Sequence, residues 1–329
     1  MPAIKPALPY AGRSNIWYDG AMTQPIAFFQ GKWVPLEDAR LSVMTHAFLY
    51  GTAVFEGIRA YHNADNNDVY IFRCAEHYER FLKSCGVLTI EVNRTVEDFV
   101  GLTVELLRKN EIHQDVYIRP IGYKSSRRIG LKLDDENDFT VFTVPMDSYF
   151  TRQRALSMVT SSWRRVEDNA IPARAKINGS YVNLALAAYE ARKSGFDEAI
   201  LLNEDGSVSE AAGMNLFVVR KGTLITPPIT DNVLEGITRD TIFQMAQDLK
   251  IPCVERTIDR SELYTADEVF ICGTGAEVDG IGMIDHRKIA DGNVGPITAK
   301  LQNLYFSTVR GNHAPYRRWL TPVWNRISV

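Results

Sequence analysis

The stretch ARAKINGSY (173–181) determines how this chain is interpreted, because it contains Lys176 and, five positions later, Tyr181. Three segments follow it in order: SEAAGMNLF (209–217), LEGITR (234–239) and CGTGAE (272–277). The first of them contributes a carboxylate, Glu210, and the other two are turns rich in glycine and threonine. Any one of these pieces alone is common in proteins, but their order and spacing together indicate a single binding site.

The chemistry of pyridoxal phosphate (PLP) requires each of these pieces. Its aldehyde forms a Schiff base with a neutral lysine amine, and an acidic group opposite its ring nitrogen keeps the ring protonated. Its phosphate binds well to free backbone N–H groups at a helix N-terminus. Lys176 suits the first role and Glu210 the second. The Gly236-Ile237-Thr238 turn suits the third, because apolar residues at helical spacing follow it: Ile242, Met245, Ala246 and Leu249.

Together with three earlier motifs, these segments resemble the branched-chain amino acid aminotransferases. That family belongs to the class IV aminotransferases, which have the D-amino acid aminotransferase fold (PLP fold type IV). The resemblance extends from about residue 17 to about residue 306 and includes MTHAFLYGTAVFEGIR (44–59), EHYERF (76–81) and VYIRP (116–120). It implies an α+β or α/β fold, with a small N-terminal α/β domain, a larger barrel-like C-terminal domain and the cofactor in the cleft between them.

The resemblance also implies how PLP is held. Lys176 is expected to be the Schiff-base lysine, Glu210 to pair with the pyridine nitrogen, and Tyr181 to hydrogen-bond the ring 3-oxygen. The phosphate is expected to lie among four further residues: Arg80, Ile237, Thr238 and Thr274.

The substrate site is implied in the same way. Tyr117 and Arg119 lie two apart on a predicted strand, so both point to one face, where the arginine can bind a carboxylate. The Thr274-Gly275 turn is expected to hold the substrate α-carboxylate through backbone N–H groups. The side-chain pocket is expected to be lined by Phe55, Gly57, Tyr50 and Tyr149, and the loop Ile129-Gly130-Leu131 to reach the pocket of a neighbouring subunit. Such an apolar pocket suits the side chains of valine, leucine and isoleucine.

Three departures from the family leave the substrate range open. Met214 stands where many relatives have glutamate, and Met146 stands where some bacterial relatives have a pocket tryptophan. Arg127 and Arg128 precede the apolar loop, either as solvated charges or as ligands of a dicarboxylate such as 2-oxoglutarate. The alternatives are a same-fold (R)-amine transaminase, D-amino acid aminotransferase or aminodeoxychorismate lyase, and, from a different class, a non-catalytic PLP- or metabolite-binding protein.

Composition narrows the class of protein. The chain has 329 residues, of which 45% are hydrophobic and 23% charged, as in ordinary globular proteins. Its net charge of −3 argues against a general nucleic-acid binder. No apolar run is long enough for a membrane span, and no signal peptide is evident. The four cysteines lack metal or redox spacing, so we expect no metal and free thiols in a reducing compartment, the cytoplasm.

The chain is predicted to contain an N-terminal arm (1–15), a small α/β domain (16–145), a linker (146–154), a large cofactor-binding domain (155–308) and a tail (309–329) whose place the sequence leaves open. A helix is predicted from Thr95 to Lys109, with Thr95 and Asp98 forming a capping box and Val96, Phe99, Val100, Val104 and Leu107 forming the buried face.

The expected reaction is a ping-pong transamination of L-leucine, L-isoleucine or L-valine with 2-oxoglutarate, giving branched 2-oxo acids and L-glutamate. Lys176, released from the cofactor, is expected to be the general base at the substrate Cα. The family resemblance further implies a homodimer or a higher homo-oligomer, because the apolar loop is expected to cross between subunits.

Overall fold

A computed structural model of the protein describes residues 24–150 and 154–325. Its strands are β1 (Ile26–Phe29), β2 (Lys32–Pro35), β3 (Ala53–Phe55), β4 (Ile58–Asn63), β5 (Asp68–Phe72), β6 (Val116–Lys124), β7 (Asn137–Pro145), β8 (Leu156–Arg164), β9 (Glu198–Leu202), β10 (Val208–Ala211), β11 (Asn215–Arg220), β12 (Thr223–Thr226), β13 (Cys253–Glu255), β14 (Glu268–Gly273), β15 (Glu277–Ile284), β16 (Arg287–Lys288) and β17 (Leu320–Pro322). Its α-helices are α1 (His46–Tyr50), α2 (Cys74–Val87), α3 (Val96–Lys109), α4 (Tyr181–Lys193), α5 (Ile237–Asp248) and α6 (Pro296–Val309).

The strands of the first half of the chain, together with β17 from the C-terminal tail, form an antiparallel sheet with the strand order β17-β5-β4-β6-β7-β1-β2, and β3 also pairs with β6. Helices α2 and α3 pack against it around a cluster of buried apolar side chains that includes Tyr78, Phe81 and Phe99. The predicted capping box at Thr95 and Asp98 is confirmed, since each residue's side chain accepts a hydrogen bond from the other's backbone N–H.

The predicted buried face of α3 is only partly right. Phe99 and Leu107 are buried, but Val96, Val100 and Val104 are half-buried, while Thr103 and Leu106 are fully buried. The reason is a polar contact that apolar periodicity does not register, because the Thr103 hydroxyl lies 2.5 Å from the Tyr78 hydroxyl of α2 and also donates to the Phe99 carbonyl. The helix packs against α2 as well as against the sheet.

The second half forms a mixed sheet with the strand order β10-β9-β8-β15-β14-β11-β12-β13, and β16 pairs with β15. Its central strands are buried on both faces, as the near-continuous apolar runs of β9 and β14 indicate. Helices α5 and α6 cover one face, and α4 packs on β8 and β9. Gly195 lies in the left-handed region with φ +85° and ends α4.

The two sheets meet at the segment around Lys176. The backbone N–H of Phe55 in β3 donates to the Lys176 carbonyl at 3.0 Å, and Val54 forms an isolated bridge with Ile177. The C-terminal tail also joins the two halves, because β17 pairs with β5 while Tyr316 and Trp319 pack in the apolar cluster of α5 and α6. The predicted arm (1–15) and residues 151–153 of the predicted linker (146–154) lie outside the described residues.

Within the described part of the chain, no helix is long and apolar enough to cross a membrane. Nor do residues 24–150 and 154–325 contain a group of three or more His, Cys, Asp or Glu side chains placed to hold a metal ion.

Candidate active site

A cavity of about 720 Å³ lies where the two sheets meet, and both halves of the chain line it. Thirteen of the residues that the sequence singled out lie on its wall, although their positions span more than two hundred residues of sequence. They are Phe55, Gly57, Arg80, Tyr117, Arg119, Tyr149, Lys176, Tyr181, Glu210, Ile237, Thr238, Thr274 and Gly275.

Lys176 projects its amine into this cavity from the segment between β8 and α4. Its backbone N–H donates to the Ser84 hydroxyl at 3.1 Å, and its Nζ donates to the Tyr181 hydroxyl at 2.5 Å. Burial lowers the pKa of the Lys176 amine to about 8, and the nearby positive charge of Arg80 acts in the same direction. An appreciable fraction of this amine is therefore neutral, and so nucleophilic, near neutral pH.

Glu210 presents a buried carboxylate on β10, only 3% exposed. Its Oε1 lies 3.1 Å from Nη2 of Arg165, and its Oε2 accepts hydrogen bonds from Asn215 Nδ2 at 3.1 Å and from the Leu234 N–H at 3.2 Å. Burial raises the pKa of Glu210, and the Arg165 charge opposes that rise. Such a carboxylate gains from a positively charged ring nitrogen placed beside it.

An anion site lies at the start of α5. The N-cap of α5 is Gly236, which has no side chain to cap the first N–H groups of the helix. Those N–H groups remain available for an anion where Gly236, Ile237 and Thr238 line the cavity. Arg80 of α2 reaches the same place, where its Nη1 donates to the Glu235 carbonyl at 2.7 Å. A Cβ on Gly236 would lie 2.0 Å from Asn215 Oδ1, so the backbone passes too close for a larger residue.

Arg80 is fixed by Glu56, a fully buried carboxylate immediately before Gly57. Arg80 donates through Nε to Glu56 Oε1 at 2.6 Å and through Nη2 to Oε2 at 2.8 Å, and the His77 Nδ1 lies 2.8 Å from the same Oε2. Burial raises the pKa of Glu56, but the Arg80 charge and these hydrogen bonds outweigh it and hold the pKa well below 4.5. Burial also lowers the pKa of His77.

One end of the cavity carries the Tyr117-x-Arg119 pair of β6. Both side chains point to one face, as predicted, and Arg119 Nη2 donates to the Tyr117 hydroxyl at 3.0 Å. The Arg119 guanidinium lies 4.2 Å from the centre of the Phe55 ring. Gly57 lies against Tyr117, since an added Cβ would come within 1.9 Å of its hydroxyl. This end therefore combines apolar and aromatic walls with one cation.

Three of the predicted residues do not line this cavity: Tyr50, Ile129 and Leu131. The Tyr50 hydroxyl accepts a hydrogen bond from the Gly130 N–H at 3.1 Å, and Nε2 of His46 lies 2.9 Å from the Gly130 carbonyl oxygen. Helix α1 thus holds the loop on the outside of its own chain, with Ile129 and Leu131 each 79% exposed. Tyr50, predicted to line the pocket, instead contacts that loop, and the predicted reach of Ile129 and Leu131 into a neighbouring subunit stays a prediction.

Of the four residues that depart from the family pattern, two line the cavity and two lie outside it. Met146 and Met214 line the cavity. Arg128 lies outside it and pairs with Asp134, with Nε 3.0 Å from Oδ2. Arg127 also lies outside it, in a β-bridge with Thr45, so neither arginine of this chain faces its own cavity.

Sequence reasoning missed three residues that hold the predicted ones in place: Arg165, Glu56 and Asn215. Glu56 and Asn215 stand within the motifs already quoted, so their neighbours provided a signal. Arg165 follows an unremarkable strand and carried no such signal, because its importance comes only from its contact with Glu210.

These residues fit PLP in size, charge and arrangement. The cavity offers an amine with a lowered pKa, a buried carboxylate, and free helix N–H groups beside an arginine, which match the aldehyde, ring nitrogen and phosphate respectively.

Comparison with known proteins gives the same family throughout. A family model described as "Amino-transferase class IV" matches residues 53–283. The chain is 47% identical over 308 residues to a probable branched-chain-amino-acid aminotransferase of Aquifex aeolicus, covering 93% of this chain and 99% of that protein.

Comparison with solved structures gives the same family. The branched-chain aminotransferase of Thermoproteus uzoniensis with norvaline aligns with a TM-score of 0.86 and 41% identity, covering 91% of this chain and 99% of that one. The branched-chain amino acid aminotransferase of Thermobaculum terrenum in its PLP-form (holo-form) aligns with a TM-score of 0.87 and 36% identity, covering 93% of this chain and all of that one. The predicted two-domain α+β fold is thereby confirmed.

Proposed function

The chain belongs to the class IV amino-transferase family, and from that premise we propose that it is a PLP-dependent branched-chain amino acid aminotransferase. It transfers the amino group of L-leucine, L-isoleucine or L-valine to 2-oxoglutarate, giving the branched 2-oxo acid and L-glutamate. The observation that carries this proposal is the Lys176 amine, which lies in a cavity with Glu210, Arg80 and the N-terminus of α5 on one side and an apolar wall on the other. The names of the relatives above support the substrate class.

When bound, PLP supplies an aldehyde that condenses with amines and a protonated ring that takes up electrons from the substrate Cα. Arg80 and the first N–H groups of α5 bind the phosphate, and Glu210 accepts a hydrogen bond from the ring nitrogen. The Tyr181 hydroxyl hydrogen-bonds the ring 3-oxygen and also orients the Lys176 amine.

Lys176 then moves the proton. With a pKa of about 8, roughly a tenth of a free Lys176 amine is neutral at pH 7, enough to serve as a base. With PLP bound, it would take the proton from Cα of the amino acid in the first half-reaction, and in the second it would deliver a proton to the carbon of the 2-oxo acid that becomes Cα of the new amino acid.

The substrate is held at the other end of the cavity. The backbone N–H groups of Thr274 and Gly275 bind the α-carboxylate, while Phe55 and Tyr149 enclose the branched side chain. Arg119 provides the cation that the second carboxylate of 2-oxoglutarate or glutamate needs. One site can thus accept an apolar and an acidic partner in turn.

The test is an absorbance spectrum of the purified protein with PLP, recorded before and after addition of L-leucine. We expect the visible band of bound PLP to give way to the shorter-wavelength band of the pyridoxamine form, and 2-oxoglutarate to restore it. Lys176→Ala should lose this response while remaining folded, whereas Lys193→Ala, at an exposed position at the end of α4, should retain it.

The alternatives give different results. A response to D-alanine or (R)-1-phenylethylamine but not to L-leucine would keep the cofactor and overturn the substrate. A bound-PLP band with no response to any amino donor would identify a binding protein, and no band at all would overturn the proposal.

The compartment and assembly belong to the same proposal. A cytoplasmic location agrees with the free thiols of the four cysteines. A homodimer or larger homo-oligomer agrees with the exposed Ile129 and Leu131, which in a lone chain would leave two apolar side chains in water. Size-exclusion chromatography with light scattering tests it, and a monomer at micromolar concentration would contradict it.

A further inference from the structure

Arg165 forms an ion pair with Glu210, the carboxylate proposed to face the ring nitrogen of PLP. Its Nη2 lies 3.1 Å from Glu210 Oε1, and both side chains are withdrawn from solvent, at 6% and 4% exposure. The second oxygen of Glu210 is already occupied by Asn215 Nδ2 and the Leu234 N–H. The Glu210 carboxylate is therefore held from two directions, and Arg165 contributes the charge.

The guanidinium of Arg165 is itself fixed in place. Its Nε donates to the Asn232 carbonyl at 3.0 Å, and its backbone N–H donates to the Leu202 carbonyl at 2.9 Å. Asn232 lies in the left-handed region with φ +57°, and its Nδ2 donates to Asn203 Oδ1 at 3.1 Å. The Arg165 side chain therefore cannot turn to another partner without breaking both the hydrogen bond to Asn232 and the ion pair with Glu210.

We propose that Arg165 is a positioning residue of the reaction, which acts on the ring nitrogen of PLP through Glu210 by keeping that carboxylate ionised and its Oε1 in place. This inference rests on the proposed function. Arg165 also lines the cavity, but its ion pair is with Glu210, and the proposal assigns its effect on the reaction to that contact.

The charges around Glu210 support this assignment. Arg165, Lys176 and Arg239 favour the ionised form, but the last two lie beyond ion-pair distance of the carboxylate. The Tyr181 hydroxyl and the Cys272 thiol also face Glu210, and burial raises the pKa of both, so they stay neutral at working pH. Arg165 is therefore the close cation of Glu210.

Without Arg165, the buried carboxylate is expected to bind a proton, since desolvation already raises its pKa. A neutral Glu210 no longer holds a proton on the ring nitrogen, and the ring becomes a poorer electron acceptor. The step at Cα slows, whereas binding of L-leucine, which involves Phe55, Tyr149 and the Thr274-Gly275 turn, is little changed. Loss of the proton on the ring nitrogen also removes its positive charge. The pH at which the absorbance of bound PLP changes should therefore rise.

The experiment compares holoenzymes of the wild type, Arg165→Gln, Arg165→Lys and the matched control Arg164→Gln. Arg164 is the adjacent arginine, exposed, with Nη1 donating to the Asn203 carbonyl. For R165Q we expect kcat with L-leucine to fall about 100-fold with KM within about threefold, and the pH midpoint of the bound-PLP absorbance to rise by about 1 to 3 units. R165K should restore part of both effects, and R164Q should match the wild type.

A double variant makes the test independent of folding defects in R165Q. Each single change, R165Q or Glu210→Gln, leaves one buried polar partner unmatched, whereas R165Q/E210Q removes both charges and should melt at a higher temperature than either. If Arg165 acts through Glu210, the double variant and E210Q have equal kcat and equal absorbance midpoints. Additive losses of kcat, or an R165Q midpoint equal to that of the wild type, would overturn the inference. Failure of the wild type to turn over L-leucine would instead refute the proposed function.

Discussion

Gly57→Ala is expected to lower kcat/KM for L-leucine strongly while leaving the chain folded. Gly57 lies between β3 and β4 on the cavity wall, and a Cβ there would lie 1.9 Å from the Tyr117 hydroxyl oxygen and 2.7 Å from Cζ of the same ring. Carbon atoms pack at about 3.5–4.0 Å, so the Tyr117 ring must retreat by roughly 1.5 Å. That movement breaks the hydrogen bond from Arg119 to the Tyr117 hydroxyl.

The loss follows from these displacements. A misplacement of about 1 Å at a positioning group costs about 100-fold in rate, so kcat/KM for L-leucine should fall by that factor, or about 2.7 kcal/mol in activation free energy. The added methyl group should also destabilise the fold by about 1–3 kcal/mol through overpacking, which a melting curve would register as a lower Tm.

Gly101→Ala is the matched control. Gly101 lies on an exposed position of α3, where an added Cβ meets no atom within 4 Å, so activity should be unchanged and stability should rise by up to about 1 kcal/mol. Steady-state kinetics with L-leucine and thermal melts of both variants make the comparison. If G57A keeps the kcat/KM of G101A, the contact between Gly57 and Tyr117 does not shape the substrate site and the reasoning is refuted.

Lys176→Ala should abolish transamination without changing the far-ultraviolet circular dichroism, and normal turnover by this variant would rule out the assigned mechanism. Because burial and Arg80 lower the pKa of Lys176 to about 8, the rate at which added PLP attaches to the apo protein should rise with pH and level off above about pH 8; an inflection near 10.5 in stopped-flow absorbance would contradict this. Glu56→Gln should lower the free energy of unfolding by about 3–5 kcal/mol at pH 7, because it leaves Arg80 unpaired. The folded-state pKa of Glu56 lies below its unfolded value of 4.5, so its contribution is present above pH 4.5 and is lost as the pH falls; urea titrations should show the gap to the wild type narrowing in acid, and a constant gap would argue against the pair. Gly236→Ala should raise the Kd for PLP about 10- to 100-fold, because the new Cβ collides with Asn215 Oδ1 and shifts the start of α5; unchanged affinity in a fluorescence titration would remove α5 from the phosphate site.

Local features of this protein could be read from the sequence because their causes are local. The capping box at Thr95 depends on one side chain three residues away, and the end of α4 at Gly195 depends on the backbone freedom of glycine. The start of α5 at Ile237 likewise follows from apolar spacing. The order of Lys176, Glu210 and the two turns indicated one cofactor site, and the structure brings these residues to one cavity.

The tertiary structure alone decided how those residues are paired and charged. Arg165 meets Glu210 across 45 positions, Glu56 meets Arg80 across 24, and β17 completes the first sheet beside β5 after a separation of about 250. No periodicity or cap encodes such partners, because they are chosen by which surfaces pack together. The same packing removes water from Lys176 and Glu210, and desolvation, which depends on the whole fold, moves their pKa values in opposite directions, lower for the amine and higher for the carboxylate.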